Sequence, residues 1–563
     1  TSVASRGDIT IYASAHNGTA YGINFDNGGE GAAYSIDNIE SETGNIDVKA
    51  DGVYAYGINS ANETLQVYAD GALNVEANGT DGEAYGIKTG GDAVIVAKNE
   101  TISATANTAP AADPAYTAMA LGIYSDGLCT FVTSEEKLNV TAKADAASGI
   151  TLVNGTMTSD VVEGSYGYVS GGNVAVAAEG TTAASGIAST AETFSAFATE
   201  KFAVKATADM ENGSAGGIVL IGKNADIAAK NIEIMAEAAH ANGITANVKE
   251  ITTIGVIDSE TTADTITITA NGTDEAYGVY TDAGSVLAVA DAVKITAAGN
   301  NSFGVYAKGI NSQLTVTNTG DEQGSIKAAF GVTVADGATA AIVRMNVEGT
   351  NAVFNAVDGG GSGLIDGSSA KGDAKIGANS MLNLELSESE WTGSAKPENN
   401  SAFNLEAEDS VWKGSLDASG TDGVTASIEL DEESVWTGAA NIGNGRLDVL
   451  VEDDSEWTMT GDVNLGTGTL TNNGTLRVLK EINLTGTVDT TDGNFAFVLD
   501  GHKPNDRFIV NSTMTDLKNA GVEVEQETRG LLLEKGEKMT LITQAENFDY
   551  EEISVRAGIK KYL

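Results

Sequence analysis

The sequence predicts an all-β fold, a parallel β-helix in which each coil is built from three short strands. A phrase made of a small residue, often an aromatic residue, then Gly and then Ile or Val returns at a coil-like interval along a chain of 563 residues. Apolar and polar residues alternate around these phrases, which is the period of a half-buried strand. Further along, the four tryptophans recur at a shorter interval. Repeats of this kind are typical of solenoids, whose coils stack on one another.

The repeated phrase has five clear copies, and weaker copies elsewhere. The clear copies carry Gly22, Gly57, Gly86, Gly278 and Gly304, each directly after Tyr or Phe. We expect each glycine at a corner of its coil, where the backbone either has positive φ or lies too close to a neighbour for a side chain. The aromatic residues beside them, interpreted as one stacked structural column, include Tyr21, Tyr56, Tyr85 and Tyr277.

The segment between residues 265 and 332 shows the plan of a coil most clearly. Ile266, Ile268 and Ala270 alternate with threonines, and a turn and two more short strands follow. Ile295 repeats Ile268 one coil later, so equivalent residues of successive coils should stack in register. The competing β-propeller has blades of about 40–50 residues. It is disfavoured because the period here is shorter and the Trp-Asp and Gly-His blade markers are absent.

The irregular spacing of the glycines predicts where a ligand binds. The shorter coils have short connections, whereas the longer ones carry extended turns, near residues 21–57, 86–122 and 149–186. Insertions in a solenoid map to loops on one face, often the binding face. We therefore expect a specific site in these turns of the N-terminal half.

The tryptophans mark a second region with shorter coils. They are Trp391, Trp412, Trp436 and Trp457, and each follows a serine two positions earlier. We interpret them as a structural aromatic ladder, with a carbohydrate-binding strip as the alternative. The change of period divides the chain into long coils at 1–365, short coils at 366–490 and a C-terminal β cap at 491–563. A cap is expected because an open strand edge would otherwise pair with another chain.

The composition excludes several classes of partner. There are 79 acidic and 31 basic residues, so the net charge is −48. Nucleic acid is not a predicted partner because there is no basic footprint, and an anionic membrane would repel the chain. Cys129 is the only cysteine, so an intrachain disulfide is excluded. No calcium-binding loop sequence occurs, and we predict no metal and no cofactor.

The C-terminal third resembles the passenger domain of a Gram-negative autotransporter, the exported part of a type V secretion protein. The resemblance rests on the Ser-x-Trp-Thr/Lys-Gly coils, on the phrase from Leu470 to Leu476, and on the strands at 506–510 and 539–542. The last two strands are similar to the pertactin-like junction, or autochaperone region. This resemblance implies a right-handed β-helix that is secreted across the outer membrane and displayed on the cell surface. It implies membrane contact only through a C-terminal β-barrel that this sequence lacks.

Autotransporter passengers include enzymes, so catalytic residues have to be considered. The histidines are only His16, His240 and His502, and no Gly-x-Ser-x-Gly nucleophile motif occurs. A polysaccharide lyase needs a base and Ca²⁺, yet no arginine occurs between Arg6 and Arg344. Hydrolases use paired carboxylates, and 79 acidic residues make chance pairs unavoidable. We predict no enzyme and no catalytic residue.

The predicted function is that of a non-enzymatic adhesin. Its expected partners are host surface glycans or proteins, or the same passenger on neighbouring cells, which would give autoaggregation and biofilm growth. Arg6, Gly7 and Asp8 form an RGD tripeptide and are the candidate ligand-binding residues, with chance occurrence as the alternative. Two alternatives for the whole chain are a polysaccharide lyase or hydrolase and a passive structural stalk.

Overall fold

The computed structural model describes residues 1–26, 36–62, 64–80, 82–107, 117–153, 164–258, 261–490 and 493–498. It also describes the backbone of four short strands at 507–514, 521–525, 540–545 and 556–557. These residues form strands, turns and extended connections. No helix among them is long and apolar enough to cross a membrane.

The strands follow one another along the whole described chain. The first half of them is β1 (Ser2–Ser5), β2 (Ile9–Ser14), β3 (Thr19–Phe25), β4 (Ile36–Ser41), β5 (Ile46–Gly52), β6 (Tyr54–Ser60), β7 (Thr64–Gly79), β8 (Glu83–Thr89), β9 (Asp92–Ala106), β10 (Met119–Ser125), β11 (Cys129–Lys143), β12 (Ala146–Leu152), β13 (Tyr166–Glu179), β14 (Ala183–Ser189), β15 (Thr193–Thr207), β16 (Ser214–Ile254), β17 (Ala263–Ala298), β18 (Asn301–Lys308), β19 (Gln313–Asn318), β20 (Gly324–Ala335) and β21 (Ala338–Val343).

The strands then become shorter. They are β22 (Met345–Val357), β23 (Gly360–Asp366), β24 (Ser369–Lys371), β25 (Ala374–Ile376), β26 (Met381–Ser387), β27 (Glu390–Thr392), β28 (Ala395–Pro397), β29 (Ala402–Glu408), β30 (Val411–Lys413), β31 (Leu416–Asp417), β32 (Thr425–Asp431), β33 (Val435–Asn441), β34 (Arg446–Val451), β35 (Glu456–Asn472), β36 (Thr475–Val478), β37 (Ile482–Asp489), β38 (Asn494–Val498), β39 (Arg507–Met514), β40 (Gly521–Glu525), β41 (Thr540–Ala545) and β42 (Arg556–Ala557).

The predicted parallel β-helix with three strands per coil is confirmed. Strands β4, β5 and β6 make one coil, and each pairs in parallel with its equivalent in the next coil, β7 or β8. In β7, β9, β11, β13 and β15 the first two strands of a coil run together, and the pairing register shifts where they join. Side chains that point inward therefore stack in columns, and those that point outward form parallel rows on each face.

The chain divides into two compact units. The first comprises Thr1–Ala307 and Asn311–Ala329, and the second comprises Lys308–Ile310 and Phe330–Leu563. The boundary predicted between residues 365 and 366 lies inside the second unit. The predicted cap from residue 491 lies largely outside the described residues. Its described strands β38, β40 and β42 continue the parallel pairing of β36.

The interior of the first unit is made of aliphatic columns. Ile46, Leu73, Leu138 and Val174 occupy one column in β5, β7, β11 and β13, and all are buried. Burying an aliphatic side chain of this size stabilises the fold by about 1.5–3 kcal/mol. Glu100 of β9 interrupts this column between Leu73 and Leu138.

The repeated glycines lie inside strands, and a positive φ is not the reason for them. None of Gly22, Gly57, Gly86, Gly278 and Gly304 has a positive φ. The alternation of buried and outward residues breaks at this point, since Ala55, Gly57 and Ile58 are all buried. A Cβ added to Gly57 would overlap Val75 Cγ1 and lie 2.6 Å from the carbonyl oxygen of Gly86. The close approach of the next coil therefore excludes a side chain.

The tryptophans form a continuous stack in the interior of the second unit. The centroids of successive rings lie 4.9, 4.6 and 4.1 Å apart, in the order Trp391, Trp412, Trp436, Trp457. All four side chains are fully buried. Each indole N–H donates to the carbonyl oxygen of a glycine on the preceding coil, at 2.8 to 3.2 Å. This burial leaves no ring face for a carbohydrate, so the alternative of a surface strip is wrong.

The serines that precede the tryptophans form a second column beside the stack. The hydroxyl of Ser410 accepts a hydrogen bond from the backbone N–H of Ser389 at 3.0 Å. In the same way the hydroxyl of Ser434 accepts from the N–H of Ser410 at 3.1 Å. These bonds satisfy buried backbone donors at the bend where each coil turns towards its tryptophan.

Candidate binding surface

The RGD tripeptide lies in the turn between β1 and β2, where its residues contact the next coil. Asp8 Oδ1 accepts a hydrogen bond from the backbone N–H of Asn45 at 2.7 Å. Arg6 is largely exposed and its Nε lies 3.7 Å from a carboxylate oxygen of Glu42. The carbonyl oxygen of Gly7 accepts from the Ser41 hydroxyl at 2.8 Å.

The same bond recurs one coil later, which gives Asp8 a structural role. Asn45 stands at the equivalent position, and its Oδ1 accepts from the backbone N–H of Ala72 at 2.7 Å. Asp8 and Asn45 therefore both brace the turn of the following coil. Attachment through the tripeptide stays a prediction.

The three longer turns that the sequence points to extend beyond the described residues. Residues 27–35, 108–116 and 154–163 fall within them and are outside the described part of the chain. The expectation of a site in these turns stays a prediction.

The predicted tyrosine column is two separate clusters. Tyr21 stacks on Tyr56 and Tyr56 on Tyr85, with ring centroids 4.9 and 5.2 Å apart. Leu121 takes the equivalent position in the next coil and ends the stack. Tyr277 stacks instead on Phe303, at 5.0 Å. A single column is therefore wrong, because the coils between carry non-aromatic residues at this position.

A cationic side chain packs against the stack of Tyr21, Tyr56 and Tyr85. Lys88 Nζ lies 4.4 Å from the ring centroid of Tyr85, within the range of a cation–π interaction. Burial, and then the carboxylate of Glu83, raise the pKa of the Tyr56 and Tyr85 hydroxyls. These hydroxyls therefore stay protonated at physiological pH, and their rings pack against one another from coil to coil.

An open groove crosses the outer face of β2, β5, β7 and β9 in the first unit. Its volume is about 360 Å³, and two rows of outward side chains line it. One row is Thr10, Asp47, Asn74 and Thr101, and the other is Tyr12, Lys49, Glu76 and Ser103. Within each row, neighbouring residues come from successive coils.

Hydrogen bonds between coils hold the side chains of the groove in place. Asn74 Nδ2 donates to Asp47 Oδ1 at 2.7 Å, and Lys49 Nζ donates to Glu76 Oε1 at 2.8 Å. The Tyr12 hydroxyl donates to Asp51 Oδ2 at 2.8 Å, while its side chain stays exposed. The groove thus combines an exposed aromatic ring with charged and polar groups of defined position.

The Lys49–Glu76 pair keeps both of its charges. The hydrogen bond from Lys49, and then that from Asn78, lower the pKa of Glu76. The bond to Glu76 raises the pKa of Lys49. Both groups are therefore charged throughout the physiological range, and Lys49 is largely compensated by its partner.

None of these groove residues is among the sites predicted from the sequence. A signal was present, because Asp47, Asn74 and Thr101 recur at one constant spacing, and Lys49, Glu76 and Ser103 recur at the same spacing. Polar residues at coil spacing are common on every outward row, however. Only the structure shows which two rows border a concave surface.

The metal-ligating residue types are dispersed. Among the described residues, no three His, Cys, Asp or Glu side chains are placed to hold a metal ion. Cys129 is partly buried, and burial followed by the charge of Asp92 raises the pKa of its thiol. His240 Nε2 lies 4.0 Å from Asp274 Oδ2 on the exposed surface.

Comparisons with known proteins identify one similar structure. No protein-family model matches the chain, and no curated protein matches it. Among solved structures, it is similar to the crystal structure of the autotransporter UpaB from E. coli strain CFT073, with 14% sequence identity. The similarity covers 93% of this chain and 92% of that chain, with a TM-score of 0.25. At this level the likeness supports no conclusion about binding or activity.

Proposed function

We propose that the chain is a surface-displayed passenger domain that acts as a non-enzymatic adhesin. The observation that carries the proposal is the groove across β2, β5, β7 and β9, whose side chains are held in place by hydrogen bonds between coils. Such a surface suits an extended ligand that contacts several coils at once. Groups that are already ordered lose little further entropy when a ligand binds.

The charge of the chain restricts the partners. A net charge of −48 repels anionic surfaces and favours uncharged or cationic ligands. We propose host surface glycans or proteins as the first class of partner, and the same passenger on a neighbouring cell as the second. The second requires that the repulsion between acidic surfaces is screened or neutralised.

The route to the surface is also a proposal. Secretion across the outer membrane rests on the Ser-x-Trp-Thr/Lys-Gly coils and on the strands of residues 491–563 that resemble a pertactin-like junction. We propose that this C-terminal segment assists folding during secretion. Its described strand β38 pairs in parallel with β36, which is the contact that a folding template would need.

Adhesion of cells that display the chain tests the function. Cells that display it should attach to host-cell layers or matrix more strongly than cells that carry only the secretion apparatus. Purified chain should compete with this attachment. Equal attachment by both kinds of cell would favour a passive stalk, and cleavage of a glycan by the purified chain would favour an enzyme.

A further inference from the structure

We infer that the groove over β2, β5, β7 and β9 is a subsite for an uncharged oligosaccharide, with the ring of Tyr12 as its stacking platform. This inference rests on the proposed adhesive function and names the ligand class of that surface. It draws on three properties of the groove: an exposed and anchored aromatic ring, rows of mixed donors and acceptors, and an excess of negative charge.

The first property is the position of Tyr12. Its side chain is 63% exposed, the most exposed tyrosine among the large apolar side chains of the described surface. Its hydroxyl is anchored to Asp51, which stands on the next coil. The ring is therefore held at one end while its faces remain open. Sugar rings present C–H faces that pack on aromatic rings of this kind.

The second property is the set of polar side chains that line the groove beside that ring. Asp47 and Glu76 offer acceptor oxygens, Lys49 and Asn74 offer donors, and the Thr101 hydroxyl can do both. A sugar hydroxyl is both a donor and an acceptor, so it matches a surface on which the two kinds of group alternate. An apolar peptide would displace water from these groups and could not use the hydrogen-bonding capacity that their mutual bonds leave over.

The third property is charge. The ammonium of Lys49 lies 2.8 Å from Glu76 Oε1 and 3.8 Å from Asp51 Oδ1, and Asp47 adds a further carboxylate to the lining of the groove. Among the residues that line the groove, no cationic group is left over to pair with a sulfate or a carboxylate. The groove therefore discriminates against sulfated and acidic glycans and favours neutral ones.

The length of the groove sets the length of the ligand. Its four strands belong to successive coils, so it spans about 14 Å at the usual strand spacing. That span accommodates a short chain of a few sugar rings lying across the coils. Each ring then meets the side chains of neighbouring coils.

Binding of purified full-length chain to defined oligosaccharides tests the inference. The probes are uncharged tri- to hexasaccharides of glucose, galactose, mannose and N-acetylglucosamine, and sulfated oligosaccharides of the same length. We expect at least one uncharged probe to bind, and sulfated probes to bind more weakly at low salt. Stronger binding of the sulfated probes, or no binding of any uncharged probe, would overturn the inference.

Variants locate the site on the chain. Tyr12→Ala should weaken binding about tenfold, since it removes the stacking platform. Tyr12→Phe should weaken it less, since the ring is kept and only the bond to Asp51 is lost. Ser103→Lys should also weaken binding, because the new ammonium would pair with Glu76 and its side chain would cover the polar groups that line the groove. Tyr68→Ala, at an exposed tyrosine outside the groove, is the matched control and should bind as wild type.

The same variants separate this inference from the adhesive function. If displayed chain mediates attachment and Tyr12→Ala and Ser103→Lys attach equally well, the groove assignment is wrong and the adhesin proposal stands. If displayed chain mediates no attachment, the adhesin proposal fails. The binding of oligosaccharides to purified chain and its variants then still decides whether the groove is a sugar-binding site. Circular dichroism and thermal unfolding establish that each variant is folded, and Ser103→Lys tests the groove even where Tyr12→Ala is unstable.

Discussion

Trp412 and Trp436 lie parallel to each other in the interior of the second unit, with ring centroids 4.6 Å and planes 6° apart. The indole N–H of Trp412 donates to the carbonyl oxygen of Gly393 at 2.8 Å, and that of Trp436 to the carbonyl oxygen of Gly414 at 2.8 Å. The pair therefore combines stacking with a satisfied polar group. This arrangement makes the tryptophan column a main element of the core of this unit.

Replacing one tryptophan should destabilise the second unit strongly. Trp412→Ala leaves a cavity and removes the indole donor from a carbonyl oxygen, and we expect a loss of about 3–5 kcal/mol in the free energy of unfolding. Denaturant unfolding followed by circular dichroism measures this loss. Tyr68→Ala on the exposed surface is the control and should cost less than about 1 kcal/mol. Equal losses in the two variants would contradict a core role for the column.

A methyl group at a strand glycine should destabilise the first unit. In Gly57→Ala the new Cβ would overlap Val75 Cγ1 and press on the carbonyl oxygen of Gly86. We expect a cost of about 1–3 kcal/mol from overpacking. Gly18→Ala is the matched control, since no atom lies within 4 Å of an added Cβ there. Thermal unfolding compares the two, and an unchanged Gly57→Ala melting temperature would refute the crowding.

Glu100 should make the stability of the first unit depend on pH. Its side chain is fully buried, neither carboxyl oxygen accepts a hydrogen bond of normal geometry, and burial raises its pKa well above the usual value. Because the pKa is raised in the folded state, the free energy of unfolding is highest below the ordinary pKa of Glu. It falls as the pH rises from there towards the folded-state pKa. The loss is at most about 1.4 kcal/mol per pH unit.

Two variants test this prediction. Glu100→Leu completes the column between Leu73 and Leu138 and should raise the free energy of unfolding at pH 7, more than it does at pH 4. Glu100→Gln should remove the pH-dependent part while keeping the shape. The measurement is the free energy of unfolding between pH 4 and pH 8. Parallel pH profiles for wild type and Glu100→Gln would show that the pKa of Glu100 is the same in the folded and unfolded states, which would contradict the prediction.

Self-association should depend on pH and salt through the acidic face of β26, β29 and β32. Glu385, Glu406 and Glu429 stand in one outward row of these strands. Burial, and then the charges of Glu406 and Asp431, raise the pKa of Glu429. Protonation in mild acid and screening by salt both reduce this repulsion.

Aggregation of displaying cells and light scattering by purified chain measure the effect. We expect more association at pH 4.5 than at pH 7.5, and more at high than at low ionic strength. Glu406→Gln with Glu429→Gln should raise association at pH 7.5 and low salt. Glu200→Gln, at an acidic residue paired with Lys230, is the control. Self-association that is independent of pH and ionic strength would refute the prediction that charge repulsion controls it.

The repeated phrases and their spacing were enough to predict the architecture. A glycine phrase at a recurring interval, with strands of period 2 between the copies, is compatible with few folds, because only stacked coils reuse one pattern many times. The tryptophans could be assigned to one structural column for the same reason. The recurrence of a serine two residues before each tryptophan can be read from the sequence. The hydrogen bonds that these serines make from coil to coil cannot.

The sequence by itself determined that this chain is a parallel β-helix with a tryptophan column, because register and periodicity are properties of the order of residues. That the column lies in the interior was decided by the tertiary structure. Only the tertiary structure decided which outward rows border a groove, why a glycine is required at residue 57, and that Glu100 lies among aliphatic side chains. These depend on how closely one coil approaches the next. That distance is set by packing between residues that stand a whole coil apart in the sequence, and no local pattern records it.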